Sequence, residues 1–397
     1  MKRFVLIIII PLITIGLFLL SAYFFPLPVA VNSDFRVLYY TDKALVQGVD
    51  IYNHEEKVEL VARQEDLLVE QVSAFPSFAY PPWLSLGTFF LGYFSIQSAA
   101  TLWFEINLTM LMLSIWFLTD GWPVRKRLIS FLCVFIFIPV LGTLVVGQYD
   151  FPVLLGAALL SYAIKKEKAL PSALGIFLLT FKPHLGGLLI LACLAHFLFR
   201  RDNFGRQSLM WIALVAVAAF VAGFLADSAW LSNYIKSLLD YRDLGHITTC
   251  SECANLSVWI AKWSTGELSL SVASKIAAIL LLGLSWVLTR VRPPLWKFPA
   301  LLINSIFFIT LIASPYLYNY NYLLLLVPMF WLAGKDLKPV EWAILFTASV
   351  LPAFGLGLFG RDGNISFLIS TLMIALMFIK WARLELVPAS AYKGSTG

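Results

Sequence analysis

The sequence predicts an all-α polytopic membrane protein with about twelve transmembrane helices. Three observations predict this fold class. Apolar residues make up 60% of the 397 residues, charged residues make up 13%, and the mean hydropathy is +0.83. Apolar segments of about 20 residues, the length that crosses a bilayer as a helix, recur along the chain. Short clusters of lysine and arginine separate many of these segments.

The first predicted helix runs from Phe4 to about Tyr23. It is longer than the apolar part of a cleaved signal peptide, and no small-x-small cleavage site follows it. We therefore interpret it as an uncleaved transmembrane helix. It opens a single transmembrane domain, residues 1–387, and residues 388–397 are predicted to be a flexible tail.

The basic clusters determine the predicted topology, because the positive-inside rule assigns them to the cytoplasm. Both termini are then cytoplasmic, and two large loops, 31–96 and 227–270, are extracytoplasmic. The net charge of +6 comes from the basic clusters at the cytoplasmic ends of the predicted spans. The sequence therefore gives no reason to expect a nucleic-acid partner. The remaining predicted spans are 97–118, 128–146, 149–164, 170–181, 185–199, 207–226, 271–289, 298–314, 321–334, 340–359 and 364–381.

Two segments depart from ordinary spans. An odd number of crossings must connect residue 80 outside with residue 125 inside, and 97–118 is long enough to supply one. Segment 81–95 is short and opens with two prolines, so we predict an amphipathic helix along the outer interface. Segments 170–181 and 185–199 are predicted to be half-depth helices that meet at Lys182-Pro183.

Asp34 follows the first predicted span and precedes a predicted short helix from Phe35 to Gln47, with Gly48 as its stop. One interpretation makes Asp34 the N-cap of that helix. The other makes it a general base that takes a proton from an acceptor hydroxyl. The acidic run that follows in the same loop is predicted to be a solvated face that could attract a cation.

Lys182 lies between two apolar segments, and a lysine at that depth is a functional candidate. With His184 beside it, Lys182 would suit a lipid-linked phosphate. The alternative is a lysine that extends its ammonium group to the outer surface.

Two other outside turns carry polar groups. The stretch from Ser314 to Tyr322 holds four tyrosines and two asparagines. It fits an aromatic belt at the membrane surface or a sugar-binding site, in which rings stack on sugar faces and amides bind hydroxyls. The turn 147–150, Gly-Gln-Tyr-Asp, fits a plain turn or a polar contribution to the site. Cys250 and Cys253 could form a disulfide, and a single such pair is weak evidence for zinc.

An ordered set of short motifs resembles the GT-C glycosyltransferases, and specifically glycosyltransferase family 87, bacterial mannosyltransferases that use polyprenyl-phosphate-mannose. The motifs span roughly residues 30–335. Relatives often carry a histidine near the Ser-Pro motif, where this chain has Tyr316 and Tyr318. The matching stretches are 34–40, 78–82, Trp103 with Asn107, 147–150, 181–183, 255–257 and 314–316.

The resemblance implies a fold and a reaction. The fold would be of GT-C type, with two interfacial helices in the first loop. Asp34 would be the catalytic base of an inverting single displacement, and Lys182 with His184 would bind the donor phosphate. On this resemblance we predict ten substrate-binding residues: Arg36, Tyr39, Tyr80, Gln148, Arg242, His246, Asn255, Tyr316, Tyr318 and Asn319.

The predicted function is therefore an integral plasma-membrane hexosyltransferase of a bacterial cell, with an active site that faces outward. Its predicted partners are a polyprenyl-phosphate sugar, a lipid or glycan acceptor and membrane lipids. We predict no cofactor and assign no metal ligand. The alternatives are a transporter or flippase of a lipid-linked or small polar solute, or a non-catalytic scaffold. Matched halves with midplane charges would favour a transporter.

Overall fold

The computed structural model describes residues 34–65, 68–69, 77–243, 253–264, 298–314 and 317–386, with isolated positions between 272 and 280. The predicted first helix and tail, and most of the predicted span 271–289, lie outside the described residues. Helices connected by short turns make up the described part of the chain, which contains no strand. This agrees with the predicted all-α class.

Most of the α-helices of seven or more residues coincide with apolar segments of the sequence, while His54–Glu65 is a polar helix of the first loop. The helices of this length are Phe35–Val46, His54–Glu65, Pro82–Thr88, Ile96–Leu118, Val124–Cys133, Ile138–Val146, Asp150–Lys166, Ala169–Leu179, Pro183–Arg200, Asn203–Ala226, Trp230–Asp243, Leu256–Trp263, Pro299–Ala313, Leu326–Ala333, Pro339–Phe359 and Ile365–Leu386.

Five helices among the described residues are long and apolar enough to cross a membrane. A sixth span is possible if the pair Val124–Ile136 and Ile138–Val146, bent by 71°, counts as one. Polytopic membrane architecture is therefore supported, while the total of twelve spans stays a prediction. The five are Ile96–Leu118, Pro183–Arg200, Asn203–Ala226, Pro339–Phe359 and Asp362–Leu386.

The half-depth prediction for 185–199 is wrong. Pro183 occupies the first turn of an 18-residue helix that continues to Arg200 and is a candidate span. Proline fits this position because the N–H groups of a first turn have no partner within the helix. Proline therefore begins this helix and does not divide it. The preceding helix, Ala169–Leu179, is short, as expected.

Segment 81–95 is not one helix. It forms a seven-residue α-helix, Pro82–Thr88, and then a 3₁₀ turn, Phe89–Tyr93. Gly92 lies against the helix Phe35–Val46, where an added Cβ would meet the Asp42 carbonyl oxygen at 2.5 Å. The close packing explains the glycine. The location of this segment at a membrane surface stays a prediction.

The basic clusters meet at one end of the bundle. Lys165 and Lys166 lie 3.2 and 3.1 Å from the Asp120 carboxylate, and Lys126 donates to the Ala333 carbonyl at 2.7 Å. These contacts agree with the expectation that the clusters share one side of the membrane.

The two large loops meet each other. Asn233 Nδ2 lies 3.2 Å from Asp50 Oδ2, and the Ser237 hydroxyl donates to the Phe78 carbonyl at 2.7 Å. The helix Trp230–Asp243 therefore packs on the first loop. Contact between the loops agrees with the crossing count, which places both on one side.

Candidate active site

The Asp34 carboxylate contacts two other segments of the chain. Asp34 directly precedes the helix Phe35–Val46, but its side chain makes no capping hydrogen bond. Instead, Asp34 Oδ2 accepts hydrogen bonds from Gln148 Nε2 and from the Tyr320 hydroxyl, the latter at 3.3 Å. The helix starts as predicted, but the capping interpretation of Asp34 is wrong. Its half-buried carboxylate faces the other two segments.

The turn that carries Gln148 requires glycine. Gly147 has φ +68°, and a Cβ there would lie 2.8 Å from the Phe35 Cβ. Both facts favour glycine, which adopts the left-handed region without a Cβ clash. Trp103 Nε1 donates to the Gly147 carbonyl at 2.7 Å and fixes the turn on a neighbouring helix. The turn therefore packs directly against the residue that follows Asp34.

Lys182 and Asp150 form a buried ion pair. Lys182 Nζ lies 3.0 Å from Asp150 Oδ1, and the side chains are 2% and 0% exposed. Asn321 Nδ2 donates to both carboxylate oxygens of Asp150, at 3.1 and 3.2 Å. The charges are therefore paired, as buried charges must be to avoid a large desolvation penalty. Lys182 does not extend to the outer surface.

Two tyrosines connect the ion pair with Asp34. The Lys182 ammonium lies 5.8 Å from the Tyr149 ring centroid and 5.2 Å from that of Tyr320, within the range of cation–π attraction. The Tyr149 hydroxyl donates to the Asp34 backbone carbonyl at 3.2 Å. Three turns predicted to lie outside, near residues 148, 182 and 320, therefore converge on Asp34.

Three predicted substrate-binding residues lie beside this centre and are half-buried. Tyr318 stacks on Tyr320, with ring centroids 5.4 Å apart and an angle of 17° between the planes. Tyr80 contacts the Tyr149 ring edge-on at 4.8 Å. Asn319 opens the 3₁₀ turn Asn319–Leu325. The tyrosine-rich stretch thus contributes directly to the site.

Three other predicted site residues have different surroundings. The Tyr39 hydroxyl donates to the Phe94 carbonyl at 2.9 Å, inside the first loop. Asn255 is fully buried and caps the helix Leu256–Trp263, since its Oδ1 accepts from the Val258 N–H at 2.9 Å. His184 is exposed in the first turn of the helix Pro183–Arg200. These contacts give Tyr39 and Asn255 structural roles.

The remaining predicted residues are less fully described. Arg36 is half-buried two positions after Asp34. Arg242 lies in the helix Trp230–Asp243, while His246 and Tyr316 lie outside the described residues.

The cysteines divide into two kinds. Cys253 is disulfide-bonded and buried, and Cys133 and Cys193 are free. Cys250 lies outside the described residues. In the disulfide, Cys253 is unavailable as a zinc ligand.

The sequence analysis placed four contributors to the centre in its candidate turns but did not name them as site residues: Tyr149, Asp150, Tyr320 and Asn321. One signal for Asp150 was available. A lysine between apolar segments requires a counter-charge, and Asp150 lies in an outside turn of the predicted topology. No comparable signal distinguishes Tyr320 from the neighbouring tyrosines, because its contact with Asp34 joins residues 286 positions apart.

Comparison with protein families identifies one match. The profile of glycosyltransferase family 87 matches residues 78–315, more than half of the chain. The chain belongs to glycosyltransferase family 87. The matched segment includes Gln148, Asp150 and Lys182, while Asp34 precedes it and Tyr320 follows its end. Comparison with curated proteins gave no match, and comparison with solved structures gave none.

Family membership makes this protein a membrane glycosyltransferase, which acts on a sugar donor and an acceptor. It confirms the resemblance seen in the sequence and favours the transferase over the transporter or scaffold alternatives.

Proposed function

We propose that this family 87 protein transfers a hexose, mannose in the first instance, from a polyprenyl-phosphate-linked donor to a lipid or glycan acceptor. The observation that carries the proposal is the state of the Asp34 carboxylate. Within the described residues, Asp34 forms no ion pair, and its side-chain hydrogen bonds come from two neutral donors. A carboxylate without a counter-ion at the convergence of three turns is suited to accept a proton.

The reaction is an inverting single displacement. The acceptor hydroxyl oxygen attacks C1 of the donor sugar, and its proton passes to Asp34. The bond between C1 and the phosphate oxygen breaks, and the polyprenyl phosphate leaves with the electron pair. Attack from the face opposite the leaving group inverts the configuration at C1.

The leaving phosphate gains negative charge as the bond breaks, and a fixed cation stabilises that change best. We propose Lys182 for this role, because its ammonium group lies beside the rings of Tyr149 and Tyr320. The exposed His184, at the start of the next helix, would contact the same phosphate. Because Asp150 already neutralises Lys182, phosphate binding requires the ammonium to serve two anions.

The stacked pair Tyr318 and Tyr320, with Tyr80 and Asn319, supplies ring faces and an amide for the sugar. Arg36 follows Asp34 by two positions in the chain and would contact the acceptor or the phosphate. Arg242, His246 and Tyr316 stay predicted contacts of the substrate.

We propose that the site faces the extracytoplasmic side of the bacterial plasma membrane, with both termini in the cytoplasm. The helix Asp150–Lys166 supports this orientation, because it begins at the site and ends at the basic cluster. Its 17 residues separate the two ends by about 25 Å, close to the thickness of the hydrocarbon core. The positive-inside rule then assigns the lysine end to the cytoplasm.

A donor panel tests the function. Purified full-length protein in lipid nanodiscs receives radiolabelled polyprenyl-phosphate-mannose, polyprenyl-phosphate-glucose or GDP-mannose, together with a bacterial membrane lipid extract. We expect labelled product from a polyprenyl-phosphate sugar, most rapidly from the mannosyl donor, and none from GDP-mannose. Product formed from GDP-mannose alone would contradict the lipid-linked donor. If glucose is transferred faster than mannose, the donor sugar is glucose, and the proposed reaction from a lipid-linked donor stands.

A further inference from the structure

The hydrogen bonds around Asp34 are directed to one of its two carboxylate oxygens. Gln148 Nε2 and the Tyr320 hydroxyl both donate to Oδ2, and Gln148 Nε2 also donates to the Tyr320 oxygen at 3.1 Å. Among the described residues, no hydrogen bond reaches Oδ1. The three side chains come from segments 114 and 172 residues apart in the chain.

We propose that Gln148 and Tyr320 are positioning residues that hold Oδ2 of Asp34, so that Oδ1 is the atom that receives the acceptor proton. This inference rests on the proposed function, in which Asp34 is the base. In this proposal Gln148 binds the Asp34 carboxylate, whereas the sequence analysis predicted that Gln148 binds the substrate. It also adds Tyr320, which the sequence did not single out.

The chemistry of the two donors suits this role. The side-chain amide of Gln148 is buried, with the residue 4% exposed, and both its N–H groups are used, one by Asp34 and one by Tyr320. Because both donors are neutral, they orient the carboxylate without neutralising it as an arginine or lysine would. The Gly147 turn fixes Gln148 from behind, so its amide is preorganised.

The described segments that converge on Asp34 carry several charged or titratable groups. The turn 147–150 contributes Tyr149 and Asp150, the 3₁₀ turn contributes Tyr320, and the first charged residue after Asp34 in the chain is Arg36. Lys182 lies behind the two tyrosine rings and pairs with Asp150 at 3.0 Å, so the two form a neutral unit.

The test measures kcat and KM for polyprenyl-phosphate-mannose of Tyr320→Phe and Gln148→Met in nanodiscs. Both variants preserve side-chain volume and remove a donor. We expect kcat to fall by about 10- to 100-fold, within the contribution of a general base, while KM stays within about twofold.

Gln148→Glu provides a second variant, in which a second carboxylate replaces the amide donor and repels Asp34, so kcat should fall at least as far as in Gln148→Met. Tyr93→Phe is the matched control, because Tyr93 is 68% exposed and should leave kcat and KM unchanged. Melting temperatures of the variants establish that they are folded.

The outcomes separate this inference from the proposed function. If Asp34→Asn is inactive while Tyr320→Phe and Gln148→Met keep the wild-type kcat and KM, the positioning role is wrong and the base assignment stands. If the variants change only KM, the two residues contact substrate and do not position Asp34. If Asp34→Asn keeps full activity, both proposals fail.

Discussion

The Asp34 carboxylate and the Lys182–Asp150 ion pair share the rings of Tyr149 and Tyr320, yet their surroundings differ. Asp34 is half-buried and held by neutral donors, with no cation paired to it among the described residues. Lys182 and Asp150 are almost fully buried and compensate each other. The two charged groups therefore differ in how they are balanced: Asp34 has neutral hydrogen-bond donors only, whereas the Lys182–Asp150 pair is neutral and connects two segments of the chain.

The largest expected effect on stability comes from breaking the buried pair. Lys182→Met leaves the Asp150 carboxylate buried with Asn321 alone, and loss of one partner of such a pair typically costs about 3–5 kcal/mol. Thermal unfolding in nanodiscs at pH 7 measures this loss. Lys168→Met, an exposed lysine at the opposite end of the bundle, is the control and should unfold like the wild type.

The double variant Lys182→Met with Asp150→Leu sharpens the comparison. Replacing both partners by apolar groups should restore most of the stability. If donor KM then rises sharply, Lys182 binds the phosphate as well as stabilising the fold. If the double variant regains both stability and normal transfer kinetics, Lys182 does not bind the donor phosphate, and the ion pair only stabilises the fold.

Lys57 is a buried lysine that forms no ion pair among the described residues. Its ammonium donates to the Thr41 hydroxyl at 3.4 Å, and burial lowers the pKa of Lys57 from 10.5 to about 8, an effect that Asp50 partly opposes. Since the folded-state pKa is below the unfolded value, the charged form destabilises the fold below pH 8. Stability should rise by about 3 kcal/mol between pH 8 and 10.5.

Denaturant unfolding of the wild type and Lys57→Met across this pH range checks the expectation. The difference between their unfolding free energies should change with pH in the stated direction. A difference that stays constant would show that Lys57 keeps its proton in the folded protein.

A smaller effect is expected from the turn that supports Gln148. Gly147→Ala introduces a Cβ at φ +68° and at 2.8 Å from Phe35, which costs about 1–3 kcal/mol and displaces the turn from Asp34. Transfer should weaken more than stability does. Gly357→Ala is the control, since nothing lies within 4 Å of its added Cβ and its φ is ordinary. Equal effects of both variants on transfer would contradict the support role of the turn.

Much of the fold was readable from the sequence because it depends on local composition. Apolar segment length predicted the helices, and charge clusters predicted which turns share an end of the bundle. Pro183 was predicted to break a helix, whereas it begins one. The end of the α-helix within segment 81–95 was not predicted, because Gly92 packs against Asp42, a residue 50 positions earlier in the chain.

The site was only partly readable for a different reason. Asp34 stood out as an acid that follows an apolar span, and Lys182 as a lysine between apolar segments. What each one contacts depends on distant turns: Gln148 and Tyr320 for Asp34, and Asp150 for Lys182. Residue type alone therefore identified both charges without showing that Asp34 has no paired cation among the described residues and that Lys182 is neutralised by Asp150.

The most direct test of Asp34 as the catalytic base is the transfer rate of Asp34→Asn. Asparagine preserves the shape of the side chain and removes the base, so the melting temperature should change little. We predict that transfer from polyprenyl-phosphate-mannose, or from whichever lipid-linked donor proves active, falls by about 10²- to 10⁴-fold. Asp336→Asn, an exposed aspartate in a turn at the basic end, should keep the wild-type rate. Full-rate transfer by Asp34→Asn would contradict the claim that Asp34 is the base.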